Sequence, residues 1–464
     1  MQPPDRPGSS PDMTRVSSGS RTRRASVCAL VWPAEYLQGA ASLPSTPLGS
    51  TIRRSEALYP IIDPGIPIEV QESLKAFAEG KAKEPLSDTC LFIKQVQEQL
   101  HQMTLSSLLM DIAYAHPWFV APKVFVNSLI YYCSLPKVDA DVKIELSKLI
   151  QQVIHLYPTE LEKINLELKL AGLSHSFERS SSRDLQKIST RVAFLWESEH
   201  VGQVLKERAD TLQAYPSLVE LKLATQHSAS QEVVPFQEIE EEALGQNFSS
   251  AVLVAKELVN LSGDLYHSVP LANLFSKNRP ELDLASESFN EICQFVLKRI
   301  LMQERPKHRE RMFAFFCEIA KHLLDSRDFA TLLPVLNALN HTAIERLDLK
   351  KPDGFSNLKE LMALDGNQAF LRSKIDEALT TSTAPVSLIL KDLEILKEGR
   401  YLPGNSLNFN ALKGIALAVW RFQNSQKIAP KEPNYTTDMP RRIKTAAFPD
   451  TEAYARSYVI KPKK

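Results

Sequence analysis

The chain has 464 residues, 44% of them apolar and 24% charged, enough for two or three domains with sizeable cores. Lysine plus arginine equals aspartate plus glutamate at 55 each, which counts against a nucleic-acid binder, because such proteins carry a basic excess. Fifteen glycines against 29 prolines point away from glycine-rich nucleotide loops, and the longest apolar runs, about six residues (Val27 to Trp32 is one), fall far short of the ~20 that a membrane helix needs.

In chain order, residues 1–58 come first, with ten serines, seven arginines and no lysine. Such a composition reads as a disordered tail. A mitochondrial-type presequence is the second reading, opposed by Asp5, Asp12 and the early prolines. From 59 to 226 the pattern turns helical: Phe92, Val96, Leu100 and Met103 recur at helical spacing, as do Ile144, Leu146, Leu149, Val153, Ile154 and Leu161. Pro117, Pro122, Pro136 and Pro158 fall where helix boundaries belong. The polar stretch 222–230 reads as a linker.

A second helical block runs from 231 to 426. Phe289, Ile292, Cys293, Val296 and Ile300 share one face; Met312, Phe315, Phe316, Ile319, Ala320 and Leu323 share another; Phe329, Leu332, Leu333, Leu336 and Leu339 a third. No sustained period-two strand appears, so the expected fold class is all-α. The acidic run Glu238, Glu240, Glu241 and Glu242 reads as a solvated helix face. From 427 to 464 nine basic residues face four acidic ones. A solvated tail and attraction to an anionic membrane surface are the two readings of that excess.

Catalytic constellations are missing. There is no GxxxxGK[ST] loop, HExxH, GxSxG or kinase signature, and no two histidines share the i,i+4 spacing of a helical metal site. Cys28, Cys90, Cys133, Cys293 and Cys317 are scattered without a CxxC pair, and Cys293 and Cys317 read as small core residues in a reducing, intracellular compartment. No cofactor, metal or covalent chemistry is expected. One helix does stand out. Val386, Ile389, Leu390, Leu393 and Leu396 make an apolar face, with Lys391, Glu394 and Glu398 on the other side. Glu394 and Glu398 repel at i,i+4, and Glu398 precedes Gly399 in the last turn, where the helix dipole disfavours an anion. Two small penalties at one spot suggest a residue kept for a purpose other than stability.

The second block resembles the catalytic domain of Ras-type guanine-nucleotide exchange factors. The likeness lies in a series: Phe289-Asn290 with Val296 and Ile300-Leu301; Arg309 before Phe316 and Ile319-Ala320; Asp328-Phe329; Leu339-Asn340 through Arg346-Leu347; Phe355, Leu361, Asn367 and Phe370-Leu371-Arg372; Pro385 to Gly399, PVSLILKDLEILKEG; and Leu407-Asn408-Phe409. The first block, with His116-Pro117-Trp118-Phe119-Val120, Phe125 and Leu129, is more loosely similar to the Ras exchanger motif domain that precedes it in that family.

The resemblance implies an exchange factor that breaks no bonds: a helical hairpin opens the first switch of a Ras-superfamily small GTPase, disturbs its Mg²⁺ and phosphate site, and lets GDP leave. It casts Glu398 as the carboxylate competing for phosphate-binding contacts, with Glu394 and Lys391 beside it, and Arg309, Leu333, Asn340, Asn367 and Val386 as GTPase-binding candidates. Arg309 and Asn340 fit a scaffold role as well, and Arg346 reads as a structural partner for a core acid. Glu394 replaces a hydrophobic or neutral side chain, and Asn367 and Val386 replace aromatic ones. A helical scaffold that binds a GTPase without activating it is therefore the alternative. The cytoplasm, with recruitment to membranes through the basic tail, is the expected location; mitochondrial targeting by residues 1–58, or secretion into a host cell, are the others.

Overall fold

The computed structural model describes residues 68–79, 91–96, 105–161, 166–193, 195, 234–276, 280–363, 368–402, 406–431 and 434–462. The serine- and arginine-rich segment, Leu100, Met103, the linker 222–230, Cys28, Cys90 and Asn367 lie outside them. The all-α expectation holds. The strands among the described residues are two of two residues each, and the rest of the regular structure is helical.

The N-terminal helices are α1 (Ile68–Ala78), α2 (Leu105–Ala115), α3 (Pro122–Ser134), α4 (Ala140–Leu156), α5 (Pro158–Leu161), α6 (Leu166–Glu178) and α7 (Arg183–Ala193). Their boundaries follow from local chemistry. Pro122 and Pro158 open α3 and α5, where a missing N–H costs nothing. Asp139 caps α4 by accepting from the Asp141 amide at 2.9 Å, and Pro117 lies in a single 3₁₀ turn, His116–Trp118. His116 is fully buried, stacked on Phe125 at 4.7 Å and edge-on to Tyr157 at 5.1 Å. Burial lowers its pKa to about 3 and keeps it neutral.

The second block holds α8 (Phe236–Leu244), α9 (Ala251–His267), α10 (Pro280–Leu301), α11 (Pro306–Asp325), α12 (Phe329–Leu339), α13 (Thr342–Glu345), α14 (Phe355–Glu360), α15 (Ala369–Glu377), α16 (Val386–Glu398), α17 (Phe409–Ile428), α18 (Met439–Lys444) and α19 (Asp450–Ile460). Its core is the packing of α10, α11 and α12. All six apolar residues picked out on α11 and all five on α12 are buried. Cys293 and Cys317 are buried free thiols there, pushed up to about 11 and about 12 by desolvation. In the acidic run of α8, Glu238, Glu241 and Glu242 are exposed, but Glu240 pairs with Arg299 at 3.3 Å and accepts from Gln303 at 2.6 Å.

The expectation of a solvated basic tail fails over residues 434–462. Met439, Ile443 and Phe448 are completely buried, and α18 and α19 pack on α10. Lys444 pairs with Glu291, Arg442 with Asp438 at 2.7 Å, and Arg456 donates to the Leu301 carbonyl at 3.3 Å. Three of the basic residues, Arg442, Lys444 and Arg456, are thus engaged in contacts within the fold. Arg346 is structural as expected, but its partner is not an acid. It donates to the Lys461 carbonyl and lies 3.9 Å from the Tyr458 ring centre.

Candidate functional site

Helix α16 begins where Pro385 holds the chain extended (φ −58°, ψ 128°) and ends at Gly399. Leu388, Ile389 and Leu393 are buried, and α16 packs along α17. The two helices approach most closely at Gly414, where an added Cβ would stand 2.9 Å from Leu396 Cδ2. The turn between them is a two-stranded ribbon, β1 (Tyr401–Leu402) and β2 (Ser406–Leu407), antiparallel with Tyr401 opposite Leu407. Asn408 closes the hairpin: its Oδ1 accepts from the Asn410 and Ala411 amides at 3.2 and 3.3 Å, and its Nδ2 donates to the Gly399 carbonyl at 2.8 Å. One side chain thus caps the second helix and holds the end of the first.

Arg372 fastens α16 to α15 by two bonds of 2.7 Å to Asp392, the two-pronged geometry that fixes direction as well as distance. From the N-terminal block, α2 lies along α17, and Tyr114 donates to Gln423 Oε1 at 2.5 Å. Phe119 meets Tyr401 edge-on at 5.8 Å, the Leu407 amide donates to Gln95 Oε1 at 2.7 Å, and Lys397 Nζ lies 4.4 Å from the Trp118 ring centre. The hairpin is braced from base to tip on that flank.

Its other face is exposed among the described residues. Lys391, Glu394 and Glu398 are all exposed and lie three and four residues apart, on one stripe. Glu394 comes 3.9 Å from Lys397 Nζ. Among the described residues no ion pair or hydrogen bond engages the Glu398 carboxylate, and Ile395 next to this stripe is 56% exposed.

The remaining candidates divide. Val386, half-buried at the foot of α16, lines a cavity of about 170 Å³ with Leu265, Phe289, Thr331, Pro334 and Pro385. Leu333, one residue before Pro334, is buried. Asn340 follows α12 as its C-cap and donates from Nδ2 to the Leu336 carbonyl at 2.9 Å, a bond within its own helix rather than between helices. Leu333 and Asn340 are seven residues apart, so they lie on one face about 10 Å from each other. Arg309 belongs elsewhere. It is 6% exposed and donates to the Gln303 and Glu304 carbonyls at 2.6 and 2.9 Å, holding the turn between α10 and α11. These contacts are those of a scaffold residue.

Sequence reasoning gave no role to Asn408, Arg372 or Asp392. All three stand in the quoted motifs, but their partners are 9 to 20 residues distant, and no local pattern announces such pairings.

This is a helical domain with a braced, outward-facing hairpin. Residues 253–413 match the RasGEF domain model, so the chain carries a RasGEF domain over that stretch. It is 28% identical over 168 residues to Rap guanine nucleotide exchange factor 1 of Homo sapiens, covering 34% of this chain and 16% of that protein. It is 22% identical over 230 residues to Ras guanine nucleotide exchange factor M of Dictyostelium discoideum, covering 45% and 25%. It is 26% identical over 175 residues to Ras-GEF domain-containing family member 1B-A of Danio rerio, covering 34% of each. The matched region thus spans about a third or less of these relatives' own length.

Proposed function

We propose that the chain promotes GDP release from a Ras-superfamily small GTPase by presenting the hairpin of α16 and α17 to it. The observation that carries this reading is Glu398: an exposed carboxylate on the last turn of a helix that is fastened at its base, along its flank and at its turn. A surface charge of this kind adds nothing to the fold, and a rigid mount lets it act at a fixed place. Inserted at a nucleotide site, it competes with phosphate for the same donors. Lys391 and Glu394 extend the stripe towards the switch that must open. Leu333, Asn340 and Val386 form the seat behind it, and the helices of the N-terminal block serve as the brace.

No bond is made or broken. The factor accelerates release by binding the nucleotide-free GTPase more tightly than the loaded one, and by linkage the nucleotide weakens the complex by the same ratio. A fluorescent GDP analogue loaded on Ras, Rap, Ral, Rho, Rab, Arf and Ran members tests the reading. Faster release from at least one of them supports it, and unchanged release from all opposes it.

The scaffold alternative draws on Glu394. The family resemblance implies a neutral or hydrophobic side chain there, whereas this carboxylate lies beside Lys397. Stable binding of a loaded GTPase without faster release favours that alternative.

A further inference from the structure

The direction in which the hairpin leaves the domain is set by the three residues before it, Thr383, Ala384 and Pro385, since α16 begins at Val386. All three are buried, and two of them are gripped from three helices. Thr383 donates its hydroxyl to Asp328 Oδ1, and its amide donates to the Arg327 carbonyl at 3.2 Å. Arg327 adopts φ 59°, a left-handed backbone that a long side chain takes up only under constraint. The Ala384 carbonyl accepts from the Tyr266 hydroxyl of α9, and its amide donates to Ser425 Oγ of α17 at 3.0 Å.

Asp328 is the unusual member. It is the N-cap residue of α12, and its carboxylate, 2% exposed, accepts from the hydroxyls of Thr383 and, at 2.6 Å, Thr331. A buried acid is costly unless its donors are complete. It is spent here on tying the start of α16 to the start of α12, the helix that carries Leu333 and Asn340.

We propose that Asp328, through Thr383, is a positioning residue that fixes the angle of the hairpin relative to the face formed by Leu333 and Asn340. Its catalytic consequence rests on the exchange reading above. The mechanical one does not. Thr383→Val removes the hydroxyl at constant shape, Thr383→Ser restores it, and Asp328→Asn is a second variant that keeps the shape and one acceptor oxygen. The full chain is used throughout, with folding checked by circular dichroism.

Two readouts are needed. In the first, exchange is followed against GTPase concentration. Thr383→Val lowers the maximal rate roughly tenfold, as misplacement of a reacting group does; the half-saturating concentration changes by less than about twofold, and Thr383→Ser recovers the rate. In the second, spin labels at Leu402→Cys on the ribbon and Lys307→Cys at the start of α11 report the hairpin angle without any GTPase. Their distance distribution shifts or broadens in Thr383→Val and Asp328→Asn and returns in Thr383→Ser.

An unchanged distribution in both disruptive variants overturns the proposal. So does an equal loss of rate in Thr383→Val and Thr383→Ser. If the wild-type chain accelerates no GTPase, the exchange reading falls, and the distance measurement still decides the role of Asp328.

Discussion

The ammonium of Lys397 lies 4.4 Å from the centre of the Trp118 ring, joining the last turn of α16 to the 3₁₀ turn of the N-terminal block. Trp118 also meets Phe275 edge-on at 5.7 Å, so its ring contacts the second block at two places. Trp118→Ala should destabilise the fold by about 2–4 kcal/mol, since it removes aromatic packing as well as the cation contact. Lys397→Met keeps the stem and loses the charge, so its cost should be about 0.5–1 kcal/mol. Urea unfolding of the two variants separates these contributions. Equal midpoints for Trp118→Ala and wild type would show that the ring is not a brace.

Gly414 marks the closest approach of the hairpin's two helices, with Leu396 Cδ2 and Cδ1 at 2.9 and 3.0 Å from the place of a Cβ. Gly414→Val overfills that contact and should cost about 1–3 kcal/mol. Pairing it with Leu396→Ala opens space and should recover part of the loss, which a double-mutant cycle by thermal unfolding measures. Strict additivity would mean that the strain lies elsewhere.

Asp111 on α2 is fully buried, and neither of its carboxylate oxygens has a hydrogen-bond partner among the described residues. Burial raises its pKa to about 7, partly offset by the charge of Lys413 on α17. The folded chain therefore binds this proton more tightly than the unfolded one. Stability contributed by the neutral acid is present at low pH and declines as pH rises from about 4 to about 7, at up to ~1.4 kcal/mol per unit. Asp111→Asn should remove that slope and be the more stable protein at pH 8. Chemical denaturation at pH 5 and pH 8 checks the sign, and a wild-type slope in the variant would contradict it.

Arg309 donates two charged hydrogen bonds to the carbonyls of the α10–α11 turn. Arg309→Ala should cost about 1.5–3 kcal/mol of stability, lowering the thermal midpoint. At a temperature where the variant is folded it should bind the GTPase as wild type does. Loss of binding with an unchanged midpoint would return Arg309 to the interface.

Much of the helical core was legible because its signal is local. On α11, Met312, Phe315, Phe316, Ile319, Ala320 and Leu323 fall at helical spacing, and every one is buried. The proline punctuation was legible for the same reason, as Pro122 and Pro158 at helix starts show. The C-terminal segment was not. Met439, Ile443 and Phe448 are thinly spread among charges, and Lys444 is neutralised by Glu291, which lies 153 residues earlier. The outward stripe of Lys391, Glu394 and Glu398 could be read from spacing, because the apolar face opposite defines it. The fastening of the hairpin could not. Arg372 with Asp392, Asn408 with Gly399, and Thr383 with Asp328 are pairings that exist once the chain has folded. A polar residue in sequence does not reveal which distant atom it will meet.

Glu398 is the most direct test of the account. Release of a fluorescent GDP analogue from the responsive GTPase is compared between the wild-type chain and Glu398→Ala, both with a verified unfolding midpoint. The exchange rate should fall roughly tenfold or more, about 1.4 kcal/mol or more of lost transition-state stabilisation. The midpoint should be unchanged or slightly raised, because an unfavourable charge has left the end of α16. A variant that releases GDP as fast as the wild type would contradict it.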